Sequence, residues 1–232
     1  ARFHYGEKHS VSSTHLLIDI PIGNDSKVHS TTQARKLKRD FELLGRKLGK
    51  TVKVSFTDGR EPIGNGIGPS LEARDVLNVL QANKYVPLDL MSKSVRMAGT
   101  LLEMTGKAKR NKGRAMALAL LQSGAAYEKM KEIIKAQRGK TFSPNQVRLG
   151  RLKENVHASR SGHVHHIHIH AISRIARVAG APENQRAGIY LHKHRNDLVK
   201  KGELLYTIYA QSKNKLQYAA DTAREFYAYE VK

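Results

Sequence analysis

Residues 54–80, VSFTDGREPIGNGIGPSLEARDVLNVL, press a strand, a glycine loop and a helix start into one continuous unit. That limits the chain to folds in which a helix packs closely on a sheet. Val52, Val54 and Phe56 alternate with polar residues, as a half-buried strand does. Asp58-Gly59 predicts a turn, and Gly64, Gly66 and Gly68 predict a loop that reaches positive φ or approaches another group closely. Pro69 suits a first helical turn, where its missing N–H costs nothing. Leu71, Ala73, Val76, Leu77 and Leu80 then predict an apolar helical face. A strand, glycine loop and helix N-terminus can cradle a phosphate. Here no Lys-Ser/Thr follows the last glycine, and GNGIG departs from GxGxxG. The favoured reading is a tight connection that brings helix against sheet.

The preceding segment extends the pattern. Leu16, Leu17, Ile18 and Ile20 form a short apolar run closed by Pro21-Ile22-Gly23-Asn24, the signature of a buried strand. Ser30 or Thr31 can cap a helix with Ala34, Leu37, Phe41, Leu44 and Leu48 on one face, and Gly49 ends it. Strand, helix, strand is the order of a βαβ unit with parallel pairing. Three helices are predicted over about Leu90–Met104, Arg114–Gln122 and Ala126–Ala136. From Thr141 the composition changes, and β-like runs at His163–His170, Gly188–His192 and Leu204–Ala210 are separated by the turn dipeptides Asn196-Asp197 and Lys201-Gly202. An α/β domain over 1–140 and a β-rich domain over 141–232 are expected.

Charge is the second strong signal. Lys and Arg number 41 against 20 Asp and Glu, a net +21. Solubility asks for only about 2–8, so the excess predicts polyanionic partners, with nucleic acid first among them. The Gly106–Arg114 loop carries Lys107, Lys109, Arg110, Lys112 and Arg114 with no local acid. It reads equally as a solvated turn or as a contact to an RNA phosphate backbone. With no cysteine, disulfides, thiolate catalysis and Cys-based zinc sites are excluded. No apolar run approaches the roughly 20 residues of a membrane helix, so no membrane partner is expected. On a strand through 163–170, His166, His168 and His170 would share one face, with His163 and His165 on the other. Such i, i+2 histidines can ligate a metal, but an exposed strand is the favoured reading and no metal site is expected. His192 and His194, beside Lys193 and Arg195, read as a basic surface patch.

Five segments in order, THLLIDIPIG (14–23), TDGREPIGNGIGPSLEARDVL (57–77), SGAAYEKMKEIIKAQRG (123–139), ISRIARVAGAP (172–182) and AGIYLHKHRNDLVKKGELLYTIYA (187–210), resemble the thymidine/pyrimidine-nucleoside phosphorylase family in its archaeal-type AMP phosphorylase branch. The resemblance implies an α/β fold: a parallel or mixed sheet with flanking helices plus a C-terminal β-rich, α+β domain of barrel-sandwich type. It implies cleavage of a nucleoside or nucleotide by inorganic phosphate, with phosphate as co-substrate and no cofactor, in a homodimer. Within Glu7-Lys8-His9-Ser10-Val11-Ser12, similar to the family's Asp-Lys-His-Ser-x-Gly motif, it implies Lys8, His9 and Ser10 as phosphate ligands. The family places that motif far upstream of THLLIDIP, whereas 13 residues precede Thr14 here. Aligned instead with the stretch that adjoins THLLIDIP, Phe3 and Glu7 stand where Ser and Lys are expected.

Phosphorolysis needs phosphate in line with the anomeric carbon and positive groups steadying the departing base. One Lys-His-Ser fragment does not supply both ends, so no catalytic residue is assigned and catalysis is not expected of this chain alone. The leading expectation is a catalytically degenerate relative serving as a basic, RNA-binding structural subunit of a ribosome-type ribonucleoprotein. RNA and neighbouring proteins would be its partners, in the cytoplasm or mitochondrion. The alternative is an active thymidine or AMP phosphorylase.

Overall fold

The computed structural model describes residues 13–232. In chain order the first elements are β1 (His15–Ile22), α1 (Thr31–Lys47), β2 (Thr51–Asp58), β3 (Gly66–Ile67), α2 (Pro69–Leu80), α3 (Leu88–Met104), α4 (Gly113–Gln122) and α5 (Ala125–Ala136). After a 3-10 turn at Pro144–Gln146 come β4 (Leu152–His157), β5 (Gly162–Ile167), α6 (Ile169–Ala179), β6 (Gly188–Leu191), β7 (Leu198–Val199), β8 (Leu204–Ala210), α7 (Lys213–Glu225) and β9 (Tyr229–Val231). The elements gather into two compact units. One holds the described residues up to Arg60 together with Ser92–Leu120, and the other Glu61–Met91 together with Leu121–Lys232. The compositional change near Thr141 lies within the second unit.

In the first unit β1 and β2 pair in parallel, from His15 opposite Thr51 to Ile22 opposite Asp58. The expected βαβ order is present. Leu16, Ile18 and Ile20 are buried at alternate positions, and Ile18 and Ile20 join a core with Val28, Ala34, Phe41 and Val54. Ser30 caps α1, its hydroxyl accepting from the Gln33 N–H at 3.2 Å. The buried stripe of α1 runs through Ala34, Phe41 and Gly45, because Gly45 lets the helix backbone settle onto Val52. Leu44 and Leu48, expected on that stripe, flank it and are more than a third exposed. Gly99 of α3 and Gly113 of α4 also meet backbone to backbone, and the Gly113 N–H donates to Glu103 Oε1 at 2.9 Å.

The second unit contains a four-stranded sheet in the order β3-β6-β8-β4 and a three-stranded one in the order β7-β5-β9, every pair antiparallel. Its core draws on Val164, Ile167, Ile189, Leu191, Tyr206 and Ile208 from strands, and on Ile172, Ile175, Ala176 and Ala179 from α6. The fold class is therefore the expected one, α/β with a C-terminal α+β domain. Its details differ from the strand-dominated expectation. The run predicted as strand to His170 stops at Ile167; His168 occupies the N-cap of α6 and His170 lies in its first turn. A bulge between Val164 and His166 also breaks the alternation. His166 and His168 still meet edge to face, with ring centroids 4.4 Å apart, whereas His170 departs into the helix. The β-branched Ile residues mimic strand composition, but the spacing of Ile172, Ile175, Ala176 and Ala179 is helical, and that pattern prevails. Ala219 and Ala223 of α7 belong to the same core, small enough for close helix packing.

Candidate functional site

In the first unit the parallel pair ends in two polar turns, and carboxyl ends of parallel strands are where open α/β sheets place ligands. Gly23-Asn24 follows β1, and Gly59-Arg60 follows β2. The turns touch. A Cβ on Gly23 would collide with the Gly59 carbonyl, the Gly59 N–H donates to Ile22 O at 2.9 Å, and the Ser26 hydroxyl donates to Gly59 O at 2.8 Å. Ile18 and Ile20 face the core, which turns Asp19 to the opposite side. There Lys93 Nζ lies 2.5 Å from Asp19 Oδ2, which also accepts from the Thr57 hydroxyl at 3.1 Å. The side chains of Lys93 and Asp19 are only 21% and 16% exposed. Asp19 Oδ1 is buried with no hydrogen-bond partner among the described residues. An unsatisfied buried carboxylate oxygen is costly. Beside a held ammonium and a hydroxyl, it leaves one acceptor of this cluster unfilled among the described residues.

The glycine loop, in the second unit, is committed to its own side chains. The N–H groups of Asn65 and Gly66 both donate to Asp75 Oδ2 at 2.7 Å, Gly64 N–H donates to Asp89 Oδ2 at 2.8 Å, and Gly68 N–H donates to Glu72 Oε1 at 3.0 Å. Carboxylates of the chain occupy the donors that a bound phosphate would need. Burial raises the Asp75 pKa against the opposing pull of the two amide donors. The tight connection favoured from the sequence is what forms.

Asn65 also joins this loop to His194. His194 Nε2 faces Asn65 Oδ1 at 2.8 Å and its Nδ1 faces Glu61 Oε2 at 3.4 Å. Acceptors facing both ring nitrogens favour the protonated ring, and the hydrogen bond to Glu61 raises the His194 pKa above its ordinary value. Burial pulls Glu61 upward, but His194 and the Arg195 N–H, at 3.0 Å, outweigh it and leave its pKa lowered. His194 N–H donates to Asp197 Oδ2 at 2.7 Å. The basic patch read at 192–195 is thus partly an internal fastening. His192 faces the Thr207 hydroxyl at 2.9 Å, and burial lowers its pKa.

Lys8, His9 and Ser10 lie outside the described residues. Lys107, Lys109, Arg110, Lys112 and Arg114 share the exposed connection into α4, without a carboxylate partner among the described residues. The sequence reading passed over Asp19, Thr57, Lys93, Asp75 and the Glu61–His194 pair. A lone acid inside LLIDIP, where every neighbour is apolar, was the signal available for Asp19.

Residues 163–230 match the Pyrimidine nucleoside phosphorylase C-terminal domain. AMP phosphorylase from Pyrococcus abyssi is 44% identical over 94% of this chain and 43% of its own length. AMP phosphorylase from Pyrococcus furiosus is 43% identical over the same shares of the two chains. The Bradyrhizobium diazoefficiens protein named "Putative thymidine phosphorylase" is 45% identical over 97% of this chain and 43% of its own length. The chain belongs to the thymidine/pyrimidine-nucleoside phosphorylase family, and it spans less than half the length of these relatives.

These matches overturn the leading expectation of a degenerate, RNA-binding ribonucleoprotein subunit: the relatives that run along nearly the whole chain are named as phosphorylases. The expectation had rested on net charge, a property that bears on any anionic partner and does not single out RNA. The leaning against an enzyme has no support in these matches.

Proposed function

We propose that this chain is part of a phosphorylase that cleaves the glycosidic bond of a nucleoside or nucleotide with inorganic phosphate as co-substrate. The C1′–N bond breaks with its electron pair on the base, a phosphate oxygen bonds to C1′, and the base takes up the proton that phosphate gives up. The products are a free base and a sugar 1-phosphate, which keeps any 5′-phosphate the substrate carried. The observation that carries this reading is the 44% identity to AMP phosphorylase over 94% of the chain.

The pair at the carboxyl end of β1 and β2 suits that chemistry. Lys93, oriented by Asp19, supplies a fixed positive charge to an anionic group. The net charge of +21 favours capture of phosphate and nucleotide alike. Purified protein incubated with AMP, thymidine or uridine is expected to release free base only when phosphate is present. Base release that ignores phosphate, or none from any of the three, rejects the reading. Lys93→Ala is expected to lower kcat/KM on the order of 10²-fold, the usual cost of losing one preorganised electrostatic contact. An unchanged value removes Lys93 from the site.

A further inference from the structure

A cavity of about 580 Å³ opens in the second unit where the end of β4, the start of β8, the last turn of α7 and β9 converge. Its floor is aromatic. The Tyr206 ring stacks on Tyr229 with centroids 5.6 Å apart and planes 18° from parallel. The Tyr229 hydroxyl is occupied, donating to Lys193 O at 2.7 Å. That of Tyr206 has no hydrogen-bond partner among the described residues, although the residue is only 1% exposed. Burial drives the Tyr206 phenol pKa upward, so the hydroxyl keeps its proton and stays a donor.

The rim has a different character. Tyr227 is 79% exposed, an unusual setting for a ring of that size. Arg160 lines the same opening, exposed and with no acceptor partner among the described residues. The other two cations of the lining are engaged, Arg224 with Asp221 at 2.6 Å and Lys232 with Glu230 at 3.7 Å. An open aromatic face, a buried phenol donor and an uncommitted guanidinium thus converge on a volume inside the about 300–1,000 Å³ range of small-molecule sites.

The geometry points to a binding site for a small aromatic phosphate: its ring lies against Tyr227, a ring heteroatom or substituent accepts from the Tyr206 hydroxyl, and its phosphate is gripped by Arg160. Guanidinium matches phosphate through a planar fork of donors, and aromatic stacking tolerates many rings. This site uses none of the residues of the Asp19–Lys93 pair, so it stands apart from the phosphorolysis reading.

The test is a titration of the whole chain, carrying 13C-labelled tyrosine and 15N-labelled arginine, with 4-nitrophenyl phosphate, 4-nitrophenol and inorganic phosphate, read by NMR. Saturable shifts of Tyr206, Tyr227 and Arg160 are expected with the aryl phosphate, at about tenfold lower concentration than with either half alone. A nucleoside 5′-monophosphate that produces the same three shifts identifies the ligand as a nucleotide; if it leaves them unmoved, the site takes simpler aryl phosphates. Tyr227→Ala and Arg160→Ala, both at exposed positions, are each expected to weaken binding about tenfold or more. Tyr206→Phe, which keeps the ring, should weaken it by a smaller factor. Absence of saturable shifts, equal response to phosphate alone, or indifference to both rim substitutions overturns the site.

Discussion

Asp75 is 2% exposed, yet its Oδ2 gathers the N–H groups of Asn65 and Gly66. A charged side chain on an apolar helical face reads as solvent-facing in sequence, because pattern alone does not reveal which backbone donors a loop will leave over. Removing the carboxylate strands two donors. Asp75→Ala is expected to cost about 1–3 kcal/mol, the usual penalty for an unsatisfied buried group, measured as a lower urea midpoint with unchanged slope. The Glu61–His194 contact makes a pH prediction. His194 is raised above 6.5, so its stabilisation is fully present below that pH and fades as pH rises through the raised value. Glu61 is lowered below 4.5, so its stabilisation is present above that pH and fades as pH falls through the lowered value. The pair is strongest between 4.5 and 6.5. Urea titrations at several pH values should show His194→Ala costing most inside that window and progressively less above it. A cost that does not change with pH contradicts the assignment.

At the scale of elements, the strand–loop–helix unit was the most legible part of the chain, since glycine and proline act locally. Gly68 has φ +119°, Pro69 opens α2 behind it, and a Cβ on Gly68 would lie 2.5 Å from the Ala187 carbonyl oxygen. Gly68→Ala meets both backbone strain and that clash. It is expected to destabilise by about 1–3 kcal/mol or more, detected as a lower thermal midpoint. The βαβ order was equally readable, because apolar runs and caps declare it. Less legible were α6 and α7. His and Ile composition suggested strand to His170, and only the 3.6-residue spacing of Ile172, Ile175, Ala176 and Ala179 argued otherwise. The candidate site lay further out of reach, since Asp19, Thr57 and Lys93 are distant in sequence and meet only after β1, β2 and α3 have formed.

At the scale of the whole molecule, charge and ancestry pulled in different directions. A net +21 says that anions are attracted without saying which, and ordered similarity along 94% of the chain identifies the family that charge could not. The central claim is that an anion serves as a reactant here. Following the 31P NMR signal of inorganic phosphate during incubation with AMP or thymidine tests it most directly. Loss of that signal, growth of a sugar 1-phosphate resonance and release of one free base per phosphate consumed are expected. Base appearing while inorganic phosphate stays constant, or no conversion of either compound, would contradict it.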